Sequence, residues 1–256
     1  MQRIKRLMLL CVLTLCACVA RADDFSFTGT FVTPETPVFF TLGLSGPPQS
    51  VTLQTYGFGG GTNVAGTSIP AGGTDDFVGI FSGTGPSAAI LTDGSGNPYG
   101  DSLYLGLSFP GCPPATAVSD FGDTPCGDER MKIPSLPAGV YTIVLSDGNY
   151  FPAAAHEIGG TGTLADGFFD FTGAAYNTDG TIATPGQFCN IFDLNTGKPC
   201  PANAPTLTDL QGNGAWALDI LTSGSATVTP EPGTLLLLGT GLLGIAGLRK
   251  RRSGAA

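Results

Sequence analysis

Ser102 is the candidate nucleophile of this chain, because it lies in the sequence Gly-Asp-Ser-Leu at 100–103. A nucleophilic serine needs a base that takes its proton. The chain has a single histidine, His156, and Ala153 stands three positions before it, where an acidic partner would be expected. His156 and Glu157 also lack the second histidine of a zinc-protease helix. The sequence therefore predicts no catalytic residues, and we expect a protein that is not an enzyme.

Carboxylates in the loops are the candidate ligands of a metal ion. Calcium takes carboxylate and carbonyl oxygens, and extracellular modules bind it weakly. The sequence contains no EF-hand loop, and solvated Asp/Gly turns explain the same residues. We therefore expect no cofactor, with calcium as the open alternative. The candidate calcium ligands are Asp75, Asp76, Asp120, Asp123, Asp128 and Glu129.

Aromatic side chains could stack on sugar rings, although packing in a core is their commoner role. Carbohydrate binding therefore stays open as an alternative function. The candidate residues are Tyr56, Tyr99, Tyr150 and Trp216.

Charge is unevenly distributed along the chain. Between the two ends, three basic residues (Arg130, Lys132 and Lys198) face 19 acidic ones, so this body has a net charge of about −16. Such a surface repels phosphate backbones and anionic lipid head groups. The glycine-rich residues 57–62 are not a phosphate loop either, because no lysine follows them. We therefore expect no nucleic-acid partner.

Apolar residues alternate with polar ones in short runs, which predicts β-strands. Gly (39) and Pro (20) are abundant, and turn residues at 45–48, 92–94, 137–139 and 147–149 stand where hairpins would need them. Alternation would bury one face of each sheet against the other. The predicted fold is an all-β antiparallel sandwich. The predicted strands are residues 25–31, 38–44, 51–56, 77–81, 103–109, 140–146, 168–172 and 215–222.

The first 22 residues have the composition of a secretory signal peptide. Basic residues in the first six positions precede the apolar residues 7–17, and Ala20-Arg21-Ala22 supplies small residues before a cleavage point at Asp23. Lipidation at Cys18 is the alternative. The chain is therefore predicted to be exported.

Four cysteines remain once the three in the predicted signal peptide are set aside. An even number in an exported chain favours disulfide bonds, and pairing of sequence neighbours would close two Pro/Gly-rich loops. Three connectivities are possible, so the pairing stays open. A zinc site is the alternative, but the sequence has no C-x2-C pair. The candidate disulfide cysteines are Cys112, Cys126, Cys189 and Cys200.

The C-terminal end has three consecutive parts. Pro230-Glu231-Pro232 precedes an apolar stretch at 233–248, which is followed by the basic cluster Arg249, Lys250, Arg251 and Arg252. The stretch is shorter than the roughly 20 residues of a transmembrane helix, so we expect a short hydrophobic helix that anchors the protein temporarily. The basic cluster would hold the C-terminus in the cytoplasm. A permanent anchor is the alternative.

This order of parts, over residues 230–256, resembles the PEP-CTERM sorting signal, which is also catalogued as an ice-binding-protein C-terminal motif. The resemblance implies recognition of Pro230, Glu231 and Pro232 by an exosortase-type enzyme and removal of the tail near this motif. Release to the outer surface or to an exopolysaccharide matrix would follow. Because the catalogue name describes the tail alone, we infer no ice binding.

The body resembles a second family. The segments Phe-Thr-Gly-Thr-Phe (27–31), Val-Thr-Leu-Gln-Thr-Tyr (51–56) and Leu-Pro-Ala-Gly-Val-Tyr-Thr-Ile-Val-Leu-Ser (136–146) are similar to bacterial pre-peptidase C-terminal domains. The resemblance implies a jelly-roll-like β-sandwich, which we place at 23–150. We expect residues 151–222 to complete or extend this sandwich and residues 223–229 to form a linker into the tail.

These features together predict an exported, non-enzymatic protein of the cell surface or extracellular matrix. It would cross the inner membrane, be anchored there transiently by its C-terminal helix and then reach the outer surface. Exopolysaccharide and other surface proteins are the expected partners there. A calcium- or carbohydrate-binding adhesion module is the first alternative, and a secreted hydrolase is the second.

Overall fold

The computed structural model describes residues 23–100, 118–120, 128–155, 161–188, 192–193, 198–199 and 213–231. The predicted signal peptide, the four candidate disulfide cysteines and the apolar stretch at 233–248 lie outside these residues. Within the described ranges, no helix is long and apolar enough to cross a membrane.

Strands dominate the described residues, because β-branched and aromatic residues alternate with polar ones and fit a half-buried pleated surface. Two short 3-10 helices, Ala153–Ala155 and Leu164–Asp166, interrupt them. The strands are β1 (Asp24–Thr30), β2 (Val38–Leu44), β3 (Gln49–Thr55), β4 (Gly61–Thr62), β5 (Ser68–Ile69), β6 (Asp76–Ser82), β7 (Ala89–Ile90), β8 (Val118–Asp120), β9 (Asp128–Leu136), β10 (Gly139–Asp147), β11 (Tyr150–Pro152), β12 (Phe168–Asp170), β13 (Ala175–Tyr176), β14 (Ile182–Thr184), β15 (Phe192–Asp193), β16 (Lys198–Pro199), β17 (Ala215–Thr222) and β18 (Ala226–Pro230).

Two five-stranded sheets make up the body of the part that the structure describes. The first sheet has the strand order β1-β17-β3-β9-β8, and the second has the order β18-β2-β10-β6-β7. The pairings are antiparallel apart from that of β8 with β9. The predicted all-β antiparallel sandwich is therefore confirmed.

One apolar core lies between the two sheets. Successive side chains of a strand point to opposite faces of its sheet, and the inward set is buried in both sheets. Leu42 and Ile143 in the second sheet and Leu53, Leu218 and Ile220 in the first are 0% exposed. This burial fixes the register of the strands, because a slip by one residue would turn the apolar set toward solvent.

Residues that follow β10 take part in the same body. β17 lies between β1 and β3 in the first sheet, so the C-terminal part of the described chain completes the sandwich. The segment around β11 covers the outer face of the second sheet, where Phe77, Phe81 and Val144 pack against Phe151. This cover makes the second sheet buried on both faces over much of β6 and β10.

Several predicted connections have a different role in the structure. Residues 223–229, predicted as a linker, instead contain most of β18, which pairs with β2. Ala226 and Val228 pack against the core, which explains why this polar segment forms a strand. The turns at 45–48 and 137–139 do not close hairpins, because β2 and β3, and likewise β9 and β10, belong to opposite sheets.

Gly29 illustrates how closely the first sheet is packed, and it gives a first prediction. Gly29 lies opposite Trp216 in the β1–β17 register, and a Cβ there would lie 2.3 Å from Cζ2 of Trp216. The indole cannot move away freely, because it also packs against two phenylalanine rings. We expect Gly29→Ala to lower the free energy of unfolding by about 1–3 kcal/mol.

Urea denaturation measures this change. Gly94→Ala is the matched control, because a Cβ at Gly94 meets nothing within 4 Å, and it should stay within about 0.5 kcal/mol of the wild type. Equal stability of Gly29→Ala and the wild type would contradict the close packing of Gly29 against Trp216.

Candidate functional site

The predicted sorting motif is joined to the folded body through β18, at the edge of the second sheet. β18 pairs antiparallel with β2, from Ala226 opposite Leu44 to Pro230 opposite Phe40. Proline has no N–H to donate and is therefore confined to edge strands or strand ends within a sheet. Pro230 meets both conditions, so the first residue of the motif is part of the sheet.

Glu231 continues the pairing beyond the strand. Its backbone N–H donates to the carbonyl oxygen of Phe39 at 2.8 Å. Its carboxylate oxygen Oε1 accepts a hydrogen bond from Oγ1 of Thr41 at 2.6 Å. The middle residue of the motif is thus docked on the sheet through both its backbone and its side chain. Pro232 and the basic cluster at 249–252 lie outside the described residues.

The start of β18 is held by the residue that follows the predicted signal peptide. Asp23 accepts a hydrogen bond from the N–H of Ala226 at its Oδ2, at 2.9 Å. The backbone carbonyl of Asp23 accepts hydrogen bonds from the N–H and the hydroxyl of Thr222. The two predicted processing points therefore lie at the two ends of one short strand.

Three buried aspartates form an acidic cluster at one end of the sandwich. Asp76 and Asp147 are opposite each other in the β6–β10 register of the second sheet, and Asp128 begins β9 in the first sheet. Each side chain is only 1% exposed. Buried carboxylates are unusual unless they are paired or hydrogen-bonded, so the surroundings of each one decide its role.

Asp128 holds the glycine-rich loop. Its Oδ1 accepts a hydrogen bond from the N–H of Phe58 at 2.9 Å, and its Oδ2 accepts one from the N–H of Gly59 at 2.7 Å. The hydroxyl of Thr55 donates to Oδ1 at 3.4 Å. Burial raises the pKa of Asp128 to about 6, although these hydrogen bonds act in the opposite direction. The loop amides thus bind an internal carboxylate.

Asp147 closes the turn after β10. Its Oδ2 accepts a hydrogen bond from the hydroxyl of Thr74 at 2.6 Å, and its Oδ1 accepts one from the N–H of Asn149 at 2.9 Å. Burial raises the pKa of Asp147 to about 7, and the charge of Glu35 raises it further against the effect of these hydrogen bonds. Asp147 is therefore a structural carboxyl group that ionises with difficulty.

Asp76 differs from the other two aspartates. Neither of its carboxylate oxygens has a hydrogen-bond partner among the described residues. Burial is the largest cause that raises the pKa of Asp76 well above 3.8, followed by the charges of Asp128, Asp75 and Asp147. Because both causes disfavour the charged form, Asp76 keeps its proton at pH values at which an exposed aspartate is ionised.

The structure separates the predicted calcium ligands. It places Asp76 and Asp128 in the acidic cluster, and the charge of Asp75 acts on Asp76. Asp120 lies instead on β8 opposite Arg130, and Asp123 lies outside the described residues. Glu129 is buried, and its N–H donates to the hydroxyl of Thr55. Across the described ranges, no group of three or more His, Cys, Asp or Glu side chains is arranged to hold a metal ion.

Two of the candidate sugar-stacking residues are buried, and the other two are half-buried. Trp216 and Tyr56 are each 9% exposed, and Tyr99 packs against the main core. The ring of Tyr150 stacks on that of Phe168, with 4.8 Å between the centroids. Burial leaves the rings of Trp216 and Tyr56 little free face for a sugar.

The described part of the structure contains no arrangement of the residues that were considered for catalysis. Gly100 forms an isolated β-bridge with Gly79, while Ser102 and His156 lie outside the described residues. The disulfide prediction and the expectation of no catalytic residues stay predictions, as do the calcium alternative and the resemblance of the body to pre-peptidase C-terminal domains.

Comparison with known proteins adds one finding to this geometry. The search of curated proteins found no match to the chain. Residues 228–252 match the PEP-CTERM protein-sorting motif, which begins inside β18 and includes the docked Glu231. The chain therefore ends in a PEP-CTERM sorting motif, which indicates an exported protein that an exosortase-type enzyme processes.

Proposed function

We propose that this protein is a non-enzymatic component of the cell surface or extracellular matrix, delivered by exosortase-type processing and retained among exopolysaccharide. The observation that carries the proposal is the sorting motif at 228–252, attached directly to a folded β-sandwich. The motif would direct the sorting of the protein, and the sandwich is the part that would remain after the tail is removed.

The hydrogen bonds of the buried aspartates support a structural role for these side chains. Asp128 and Asp147 accept hydrogen bonds from loop amides and hydroxyls that hold the sandwich together. Asp219 is fully buried and accepts hydrogen bonds from the hydroxyl of Ser26 and the N–H of Val64. Side chains with perturbed pKa values often mark active sites, but the raised pKa values of Asp128 and Asp147 belong to carboxyl groups that hold loops in place.

Replacement of Glu231 tests the delivery route. Glu231 is the charged residue of the sorting motif, so we expect Glu231→Ala to abolish most tail removal in a host that has the processing enzyme. Intact-mass spectrometry of the inner-membrane fraction would then show a chain that keeps residues 233–256. The wild-type chain should end near Pro230 in the surface fraction, and in a host without the enzyme it should keep its tail and stay in the inner-membrane fraction.

Asp24→Ala is the matched control, because Asp24 is an exposed acidic residue at the start of β1 and lies outside the motif. It should be processed like the wild type. A wild-type chain that keeps its tail in the presence of the enzyme would refute the sorting proposal. Retention of the released protein by the matrix is measured by treating cells with a glycosidase: exopolysaccharide association predicts that the protein is set free.

A calcium-binding adhesion module is the second candidate function, and one observation favours it. Asp76 is buried without a hydrogen-bond partner for either oxygen in the described part of the chain, and Asp128 and Asp75 act on it electrostatically. A cation would neutralise such a cluster. A thermal-shift titration with calcium at pH 8 tests this function, since a site predicts a concentration-dependent rise in Tm.

A further inference from the structure

We propose that β18 must leave the edge of β2 before the processing enzyme can act on the sorting motif, so that the folded sheet limits the rate of tail removal. This inference rests on the proposed sorting function and adds a regulatory contact to it. The contact consists of the β2–β18 pairing and the hydrogen bonds of Glu231 with Phe39 and Thr41.

The backbone and side-chain groups of Glu231 that an enzyme would recognise are already hydrogen-bonded to the sheet. A protein that binds an extended peptide forms hydrogen bonds with the peptide backbone and places alternate side chains in pockets. The N–H of Glu231 donates to Phe39, its carboxylate accepts from Thr41, and its side chain is half-buried. An enzyme that recognises this glutamate therefore competes with the sheet for the N–H and the carboxylate of Glu231.

The chain between the sandwich and the apolar stretch of the tail is short. The apolar stretch of the tail begins at Gly233, two residues after the docked Glu231. Two extended residues span about 7 Å, so docking would hold the sandwich against the membrane surface and leave little room for an enzyme. Release of residues 226–232 would provide about 25 Å of extended chain.

β18 is an edge strand that can open from one end. β18 lies at the edge of its sheet and has no buried residue, with the exposed positions Thr227, Thr229 and Pro230. Edge segments with few buried contacts open more readily than a core strand does. At its start β18 is held by Asp23, so opening begins at Glu231 and proceeds toward Ala226.

Thr41→Val tests the inference, because it keeps the size of the side chain and removes the hydroxyl that donates to Glu231. On the full-length chain in detergent, we expect amide hydrogen exchange of Thr229 and Glu231 to become about fivefold to tenfold faster. In the host that has the enzyme, pulse-chase labelling should show tail removal accelerated by at least a few-fold. Thr41→Ser keeps a hydroxyl and should behave like the wild type.

Thr52→Val is the matched control, since Thr52 lies on β3 in the other sheet. Its partners in the neighbouring strands are Leu221 on β17 and Lys132 on β9, and neither belongs to β18. Unchanged exchange in Thr41→Val would overturn the inference, and so would faster exchange with unchanged or slower tail removal. Failure of the sorting proposal looks different, because the wild type and every variant would then keep the tail, and the inference would fall with it.

Discussion

The free energy of unfolding of this protein is expected to fall by several kcal/mol as the pH rises from about 4 to 8 in the absence of calcium. Burial raises the pKa of Asp147 from 3.8 to about 7 and that of Asp128 from 3.8 to about 6. In this window the unfolded chain releases these protons before the folded chain does, so a higher pH favours unfolding. The two shifts correspond to roughly 4 and 3 kcal/mol at high pH.

Asp76 adds to this pH dependence, because its pKa is also raised, by burial first and then by its acidic neighbours. Urea denaturation at pH 4, 6 and 8 in the presence of EDTA measures the profile. Asp76→Asn, which is neutral at every pH, should be more stable than the wild type at pH 8 and should show a flatter profile. Asp24→Asn, at an exposed site on β1, should leave the profile unchanged.

A free energy of unfolding that rises from pH 4 to 8 in EDTA would contradict this account of the cluster. The same series with millimolar calcium separates the two functions considered for the cluster. If calcium restores stability at pH 8 in the wild type but not in Asp76→Asn, the cluster binds a cation and the adhesion-module function gains support. If the stability profiles with and without calcium are equal, Asp76 binds a proton and not a calcium ion.

The strands that were predictable from the sequence are those rich in apolar residues with turn residues at both ends. β2 and β17 have the predicted bounds, because each is a largely apolar run of seven or eight residues that glycine, proline or serine residues bound on both sides. β9 was missed, since Arg130, Lys132 and Pro134 place charges and a proline along it, although Met131 and Ile133 alternate toward the core. Its exposed face accommodates the charges, which local sequence alone does not reveal.

The contacts of the candidate site depend on pairings between distant parts of the chain. Asp76 meets Asp147 because β6 pairs with β10, and Asp128 approaches them from the opposite sheet. β18 forms because an open edge of β2 is available, and Thr227 and Thr229 gave no core-facing signal of their own. The sorting motif itself was recognisable from sequence, because its order of residues is local and does not depend on the fold.

Asp128→Ala is expected to lower the free energy of unfolding by about 1–2 kcal/mol, measured by urea denaturation at pH 8. The substitution leaves the N–H groups of Phe58 and Gly59 without their acceptor. Loss of a hydrogen bond to a charged group costs about 1.5–3 kcal/mol when a buried donor is left unsatisfied. The removal of the buried charge of Asp128 and of its repulsion with Asp76 acts in the opposite direction by roughly 3 kcal/mol at pH 8, which is why the expected loss stays well below the sum of two such bonds.

Asp24→Ala is the matched control for this substitution and should stay within about 0.5 kcal/mol of the wild type. In Asp128→Ala the pKa of Asp76 should fall toward its ordinary value, because one of the charges that raise it is gone. The loss of stability between pH 4 and 8 should therefore be smaller in Asp128→Ala than in the wild type. A variant as stable as the wild type with an unchanged pH profile would show that Asp128 neither holds the loop nor acts on Asp76. An unstable variant with a flatter profile would place both roles on this one carboxylate.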